Sequence, residues 1–259
     1  MNEIDNFRAE VAANIEGLGQ DEEIQKLSTS WIRSAGKHKW SYNFSWMGRP
    51  AIQFPNDEWA IQEIIWEVKP DLIIETGIAH GGSLTFSASM LALLDMCDAI
   101  NEDETINPKQ SSRKVLGIDI DIRAHNRKAI EKHPMASRIE MIEGSSIAPE
   151  IINQVTDIAG NYKKIIVCLD SNHTHEHVLA ELQAYAPLAS LGSYCIVMDT
   201  VIEDMPSDGF PDRPWGVGNS PKTAVHKYLK NHSEFEIDRT IQHKLLITVA
   251  PDGYLKRVK

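Results

Sequence analysis

Five short apolar runs, rich in β-branched residues and bounded by acids or turn residues, constrain the fold of this chain most strongly. Runs of this length and composition are typical of buried strands. They cover residues 71–76, 114–119, 138–144, 164–170 and 194–200. Between them, apolar residues recur at helical spacing over 83–99, 124–132 and 176–191. Because strands that alternate with helices form parallel sheets, the sequence predicts an α/β fold.

The segment after the fifth run predicts a loop and then a hairpin. Residues 201–221 are dense in Gly, Pro and Asp, which indicates a long loop of the kind that covers or binds a ligand. A helical stretch follows from residue 223. Residues 235–240 and 243–250 are then expected to pair as an antiparallel hairpin at the edge of the sheet.

The first 59 residues differ in texture from the rest of the chain. Residues 1–30 have the pattern of polar amphipathic helices, and four of the six tryptophans lie within 31–59. We therefore predict an N-terminal extension over 1–59 and a main domain over 60–259. The acidic helices cover no obvious part of the sheet, so we expect them to pack on a second subunit of a homo-oligomer or on the cleft of their own domain.

Composition narrows the classes of partner. The chain has 259 residues with 26 basic and 37 acidic side chains, a net charge of −11, which argues against a nucleic-acid-binding face and favours a small-molecule partner. The first ten residues carry acids where a signal peptide carries bases, and no apolar run approaches the roughly 18 residues of a membrane span. We therefore expect a cytoplasmic protein with no membrane partner.

A glycine-containing turn follows the first buried strand. It runs from Glu75 through Gly77, Ala79 and Gly81 to Ser83, where a helix begins. Glycines let the backbone bend sharply and let a ligand approach, and the free amides of the next helix favour polar or anionic groups. The spacing matches neither GxGxxG nor a Walker loop, so the chain is not a P-loop NTPase. A plain strand-to-helix turn is the alternative.

Polar residues also end the next two strands. Asp119 closes the second, where a carboxylate can accept hydrogen bonds from ribose hydroxyls at the crevice. Ser145 and Ser146 follow the third in a turn of small polar residues suited to a nucleobase edge. Together with the glycine turn, these strand ends predict a site for an adenosyl ligand.

Two further acids end the fourth and fifth strands. Asp170 and Asp199 should lie side by side at the carboxyl edge of the sheet, and two close carboxylates with water suit Mg²⁺. The alternative is that Asp170 caps the helix after it.

The segment after Asp170 contains an H-x-x-E-H pattern, formed by His173, Glu176 and His177. In zinc peptidases this pattern binds the metal. Here it follows a buried strand of a parallel sheet, so we interpret it as a chance match. His173 instead can reach back over the Asp170 site, where a histidine can take a proton from a hydroxyl near neutral pH.

These motifs together resemble the cephalosporin hydroxylase/rhamnosyl O-methyltransferase family, which uses S-adenosylmethionine and is distantly similar to catechol O-methyltransferase. The resemblance covers roughly residues 45–255. It is carried by KPDLIIETGIAHGGSLTFSASML, VLGIDID, EGSS, LDSNHTHEHVLAEL, IVMDT and RPWGVGNSP. It implies a Rossmann-like class I methyltransferase with a seven-stranded, mostly parallel sheet, a C-terminal antiparallel hairpin and an N-terminal helical extension.

The resemblance also implies roles for individual residues. The methionine moiety of S-adenosylmethionine is assigned to the glycine turn, the ribose to Asp119 and the adenine to the two serines. Asp170 and Asp199 match Mg²⁺ ligands, and His173 matches a general base. The residues assigned to cofactor binding are Glu75, Gly77, Ala79, Gly81, Ser83, Asp119, Ser145, Ser146 and Asp170.

One position departs from the family pattern. Members often carry Glu-Asp where this chain has Met198-Asp199, so a carboxylate ligand is missing and Thr200 or water takes its place. This departure puts the metal dependence in question.

The expected function is Mg²⁺-assisted O-methylation of a hydroxyl on a sugar or natural product. Arg213 and Trp215, in the loop after the fifth strand, are expected to contact the acceptor. Two alternatives stay open. One is a metal-dependent hydrolase that uses Asp170, His173, His177 and Asp199, and the other is a non-catalytic protein that binds S-adenosylmethionine.

Overall fold

The computed structural model describes residues 2–259, and its main sheet follows the predicted alternation. All five predicted strands form, each within two or three residues of its expected bounds. The nine strands are β1 (Phe44–Trp46), β2 (Arg49–Ala51), β3 (Leu72–Thr76), β4 (Lys114–Asp119), β5 (Ile139–Glu143), β6 (Ile165–Leu169), β7 (Tyr194–Val197), β8 (Phe235–Ile237) and β9 (Tyr254–Arg257).

Seven of these strands form one sheet in the order β5-β4-β3-β6-β7-β9-β8, and β1 pairs with β2 in a separate hairpin. The strands from β5 to β7 are all parallel, whereas β9 is antiparallel to both β7 and β8. The order reverses between β3 and β6, which is where α/β sheets open a ligand crevice at their carboxyl edge. This confirms the predicted seven-stranded class I methyltransferase architecture.

Helices cover both faces of the sheet. Successive residues of a strand point to opposite faces, so Ile73 belongs to one apolar cluster and Ile74 to the other. The helices are α1 (Glu3–Gln20), α2 (Glu22–Gly36), α3 (Pro55–Val68), α4 (Gly82–Glu102), α5 (Ala124–Glu131), α6 (Pro149–Ala159), α7 (His175–Tyr185), α8 (Pro221–Leu229) and α9 (Arg239–Leu245).

The C-terminal hairpin forms, but the prediction for its second strand was wrong. Residues 239–245 form α9 instead, and the partner of β8 is β9, at residues 254–257. Asp238 caps the N-terminus of α9, because its side chain accepts a hydrogen bond from the Thr240 amide. The apolar residues after α9 are buried against α3, where the carboxylate of Asp57 accepts from the Val249 amide at 2.9 Å. Their burial by a helix, rather than by strand pairing, explains the misleading pattern.

The helix α4 corrects a second expectation, that no apolar stretch approaches membrane-span length. Its 21 residues are long and apolar enough by length and composition to cross a membrane. This is weak evidence, because core helices pass the same test, and 44% of its most apolar window is buried in the protein. Leu84, Phe86 and Leu91 are among the side chains it buries in the core.

The N-terminal extension is helical, as expected, and continues into the main domain through α3. The expected boundary at residue 60 falls inside this helix, and the division into 1–59 and 60–259 stays a prediction. Helix α1 buries none of its side chains and packs on α9, where Gly19 lies against His243. Trp31 and Phe54 meet the ring of Trp40 edge-on, so the aromatic segment joins the helices to the main domain.

Candidate functional site

The turn after β3 is built by backbone geometry that requires glycine. Gly77 has a φ of +91°, and its amide donates to the Ile118 carbonyl oxygen at 2.8 Å. A Cβ atom at this position would lie 2.2 Å from the carbonyl oxygen of Asp170. Gly81 also has a positive φ and is the residue immediately before α4. The turn therefore requires glycine where it packs against the end of β6, and its contact with a ligand stays a prediction.

Asp119 fixes this turn to β4. Its Oδ2 accepts hydrogen bonds from the amides of Ile78 at 2.8 Å and Ala79 at 3.2 Å, while its Oδ1 accepts from Asp121. The carboxylate lines a cleft of about 140 Å³ together with Gly77, Ala79, Ser83 and Asp170. The structure thus brings these five predicted cofactor-binding residues together. It also gives Asp119 a structural task that the sequence did not indicate.

Glu75 lies below this cleft and is not part of its lining. Its buried carboxylate accepts a hydrogen bond from the Ser83 hydroxyl. It faces an internal cavity that it shares with Gln53 and with Glu58 of α3, whose Oε2 has no hydrogen-bond partner. Burial raises the pKa of Glu75 to about 7 and, together with the charges of Glu75 and Asp57, that of Glu58 to about 8. Ser83 therefore connects the cleft to an acidic floor.

The two serines after β5 are not part of the cleft lining. Ser145 is half-buried and Ser146 is buried. The Ser146 hydroxyl lies 3.1 Å from Nε2 of His177 and 3.4 Å from the hydroxyl of Ser171, which lines the cleft. Ser146 therefore reaches the cleft through Ser171, and the contact of both serines with a nucleobase stays a prediction.

Three side chains converge at the carboxyl ends of β6 and β7. Asp170, His173 and Asp199 each offer a ligand atom, and these atoms all lie within 4.8 Å of one another. Nε2 of His173 is 3.4 Å from Oδ2 of Asp199. Helix α7 begins at His175 after Thr174, so Asp170 does not cap it. The structure thus assembles the predicted group of two acids and a histidine, which we call the carboxylate–histidine group.

The electrostatics of Asp170 favour a cation beside it. Burial, followed by the charges of Asp199 and Glu75, holds the pKa of Asp170 well above its usual range. Gln53, which the sequence did not indicate, donates from its side-chain nitrogen to Oδ2 of Asp170 at 2.9 Å. Two carboxylates that repel each other are both ionised at low cost only when a cation lies between them. The oxygen-rich donor set suits Mg²⁺.

Thr200 is not placed to complete this group. Its buried hydroxyl donates to the carbonyl oxygen of Pro251 at 2.6 Å. Met198, at the position where the family carries an acid, is buried in the apolar core. Among the histidine, cysteine and acidic side chains of residues 2–259, His173 is the third that lies within 4.8 Å of the two acids.

The motif pattern at the start of α7 does not form one site. His173 faces Asp199, whereas Nε2 of His177 lies 3.2 Å from the Ser171 hydroxyl and 3.6 Å from Oε1 of Glu181. The two histidines therefore do not share a ligand position. This geometry is unlike a zinc site and weakens the hydrolase alternative.

The loop after β7 is ordered by polar contacts with its surroundings. Residues Thr200–Asp204 form a 3-10 helix, and Glu203 accepts hydrogen bonds from the Gly218 amide and the Ser220 hydroxyl. The ring of Trp215 meets that of His173 edge-on at 4.7 Å, with the Arg213 guanidinium 5.2 Å from the Trp215 ring centre. Trp215 thus contacts the carboxylate–histidine group, and the expected acceptor contacts of both residues stay predictions.

A cavity of about 450 Å³ opens beside Asp199, and half of its walls belong to the loop 201–221, which the sequence predicted to cover or bind a ligand. They come from α2, from the start of α3 and from the segment after β7, and are mostly apolar. The residues that line it are Ile32, Arg33, Gly36, Lys37, Phe54, Asp199, Val201, Ile202, Met205, Pro206, Asp208, Gly209, Phe210 and Val249. No sequence motif marks the lining residues outside this loop, because they meet only in the folded chain. The carboxylate–histidine group therefore lies between this cavity and the cleft.

Comparison with known proteins gives a consistent result. The family model described as rhamnosyl O-methyltransferase/CmcI matches residues 38–258. A rhamnosyl O-methyltransferase from Mycobacterium bovis (strain BCG / Pasteur 1173P2) is 32% identical over 231 residues, which cover 85% of this chain and 83% of the relative. The protein of the same name from Mycobacterium leprae (strain TN) is 32% identical over 228 residues, which cover 85% and 88%.

Solved structures share the fold. A structure of CmcI with Mg and SAM has a TM-score of 0.54 and 17% identity, and the match covers 84% of this chain and 78% of that one. CalS11, named as a TDP-rhamnose 3'-O-methyltransferase of calicheamicin biosynthesis, has a TM-score of 0.51 and 16% identity, with 78% of each chain covered. At these identities the likeness is one of fold.

Proposed function

The chain belongs to the rhamnosyl O-methyltransferase/CmcI family, and we propose that it methylates a hydroxyl of a rhamnose-like sugar, free or within a natural product. It is an S-adenosylmethionine-dependent O-methyltransferase that uses Mg²⁺. The observation that carries the proposal is the position of Asp170, His173 and Asp199 between a cleft and a larger cavity. Family membership decides against the hydrolase alternative.

The cleft suits the methyl donor. Its wall has no side chain at Gly77, where the backbones of β3 and β6 approach too closely for a Cβ atom. The sulfonium and ammonium groups of the donor are cationic, and the carboxylate of Asp119 in the cleft lining provides negative charge for them. Glu75 acts through Ser83 in this proposal, because its carboxylate is not in the cleft lining.

The carboxylate–histidine group suits Mg²⁺. Asp170 and Asp199 would hold the ion, and Nε2 of His173 lies 3.4 Å from Oδ2 of Asp199. When bound, S-adenosylmethionine supplies a methyl group on a positively charged sulfur, and Mg²⁺ lowers the pKa of a neighbouring hydroxyl. Gln53 holds one oxygen of Asp170, so the other is free to face the cation.

The residues then perform three tasks. The walls of the 450 Å³ cavity hold the acceptor with its hydroxyl toward Asp199. His173 takes the hydroxyl proton at Nε2 while Trp215 limits the movement of its ring. When bound, the donor would pass its methyl group from sulfur to the acceptor oxygen, which would give a methyl ether and S-adenosylhomocysteine. Most of the acceleration comes from holding the two reactants in line.

The acceptor cavity favours a deoxysugar over a fully hydroxylated one. Phe54 and Phe210 provide flat apolar surfaces, and Ile32 and Val249 provide aliphatic ones. A 6-deoxyhexose presents a methyl group and C–H faces to such walls. The polar side chains of Arg33 and Lys37 at the same cavity suit its remaining hydroxyls.

The test is methyl transfer from S-adenosylmethionine to a panel of rhamnosides, other 6-deoxyhexosides and hexosides, followed by mass spectrometry with Mg²⁺ or with a chelator. We expect methylated rhamnoside only with Mg²⁺. His173→Ala should bind S-adenosylhomocysteine normally but turn over on the order of 10²-fold more slowly, whereas Asp119→Ala should weaken its binding. Donor binding without methylation of any acceptor would instead support the non-catalytic alternative.

We also propose that the protein forms a homo-oligomer through α1 and acts in the cytoplasm. The exposed side chains of Ile4 and Phe7 lie on one face of α1, with Val11 one turn further along. Light scattering after size exclusion should show a mass above 29.1 kDa, and Phe7→Glu should lower it to that of the monomer. An unchanged mass would exclude α1 as the interface, and cell fractionation tests the location.

A further inference from the structure

A buried polar network extends from Ser146, in the turn after β5, and it has no role in the proposed methyl transfer. It consists of Ser146, Ser171, His177 and Glu181, and we call it the serine–histidine–glutamate network. Glu181 is completely buried on α7, and its Oε2 has no hydrogen-bond partner. A buried carboxylate is costly unless its surroundings are polar and fixed. The free-energy cost of burying this carboxylate, together with the position of the network beside the cleft, indicates a functional role.

The hydrogen atoms of this network can be assigned from its contacts. The Ser171 hydroxyl donates to Oε1 of Glu181 at 2.7 Å, so the Ser171 oxygen can only accept from Nε2 of His177 at 3.2 Å. On this contact we assign a hydrogen to Nε2. It also faces the Ser146 oxygen at 3.1 Å, which accepts from it in the same way.

This assignment leaves the hydrogen of the Ser146 hydroxyl available. His177 cannot accept it, because Nε2 is already protonated. The Ser171 oxygen, at 3.4 Å, lies at the outer limit of hydrogen-bond distance. The backbone of Ser146 is held as well, since the Tyr185 hydroxyl donates to its carbonyl oxygen. Ser146 is thus a hydroxyl donor of fixed position, next to Ser171 of the cleft lining.

We propose that Glu181, acting through Ser171 and His177, orients the Ser146 hydroxyl to donate a hydrogen bond to a ring nitrogen of the donor's adenine. His177 and Glu181 are then positioning residues for nucleobase recognition. This inference rests on the proposed function, because it requires that the cleft bind S-adenosylmethionine.

The experiment measures calorimetric affinities of S-adenosylhomocysteine and of its 1-deaza, 3-deaza and 7-deaza analogues, in each of which a carbon replaces one ring nitrogen. The wild-type protein should bind one analogue about 5- to 10-fold more weakly than the parent. Ser146→Ala and His177→Ala should lose a similar factor for the parent and should no longer distinguish that analogue. His177→Gln, which keeps an N–H donor, should retain part of the distinction, and His226→Gln on α8 is the control.

Two results would overturn the inference while leaving the function intact. One is equal wild-type affinity for all four ligands, and the other is a His177→Ala variant that weakens all four equally, as a purely structural role predicts. Ser146→Ala decides the question alone if the histidine variants do not fold. Failure of the wild-type protein to bind S-adenosylhomocysteine at all would overturn the proposed function as well.

Discussion

The donor side and the acceptor side of the site are built in different ways. The donor side depends on backbone: the positive φ of Gly77 and the amides that donate to Asp119 fix the turn between β3 and α4. The acceptor side depends on side chains from segments far apart in sequence, such as Ile32, Phe54 and Phe210. In the proposed function, the strand ends therefore form the cofactor site, whereas contacts between distant segments form the acceptor site.

The carboxylate–histidine group lies where the two sides meet, so its loss should have the largest effect. Asp170→Asn keeps the shape of the side chain but removes one of two carboxylates, and turnover should fall on the order of 10³-fold. Initial rates measured against Mg²⁺ concentration check this, with partial recovery expected at high Mg²⁺. Asp157→Asn, on the exposed face of α6, is the control. A rate within tenfold of wild type would exclude Asp170 as a ligand.

The contrast between the two sides also explains what the sequence could predict. The spacing of the apolar residues and the polar residues at the strand ends located all five parallel strands. Parallel strands end at one edge of the sheet. The residues expected there lie together, namely Gly77, Asp119, Asp170 and Asp199. Residues 243–250 were wrongly predicted to form a strand, because an apolar run does not reveal whether a helix or a strand buries it. The contact of Gln53 with Asp170 joins residues 117 positions apart, and no local pattern encodes it.

The backbone character of the donor side predicts a second, smaller effect. Gly77→Ala places a Cβ atom against the Asp170 carbonyl oxygen at a positive φ, which should cost about 2–4 kcal/mol of stability. Affinity for S-adenosylhomocysteine should fall at least about tenfold, because the turn forms part of the cleft lining. Thermal melting and calorimetry measure both quantities. Gly17→Ala in α1, where a Cβ atom meets open space, should leave the affinity unchanged and raise stability by about 1 kcal/mol or less.

Acceptor-side variants should affect one substrate alone. Phe210→Ala removes an apolar wall of the 450 Å³ cavity, so the KM for the sugar should rise about tenfold while the affinity for S-adenosylhomocysteine stays the same. Steady-state kinetics with varied acceptor, beside donor calorimetry, separate the two. Leu191→Ala, at an exposed position outside the cavity, is the control. A parallel loss of donor affinity would show that the two sides are not independent.

The smallest expected effect concerns the acidic floor of the donor side. Burial raises the pKa of Glu58 to about 8 from 4.5, that of Glu75 to about 7 and that of Asp57 to about 6. The folded protein therefore binds more protons than the unfolded chain between about pH 4 and 8, so stability falls as pH rises through this range. The melting temperature of wild type should decrease from pH 5 to pH 8.

Glu58→Gln should make that decrease smaller by a few degrees, because it removes one buried charge. Glu67→Gln, on an exposed turn of the same helix, should leave the pH dependence as it is. A melting temperature that rises from pH 5 to pH 8 in both wild type and Glu58→Gln would mean that these acids are ionised in the folded protein. The floor would then be a charged base for the cationic donor, and the donor side would depend on side-chain charge as much as on backbone.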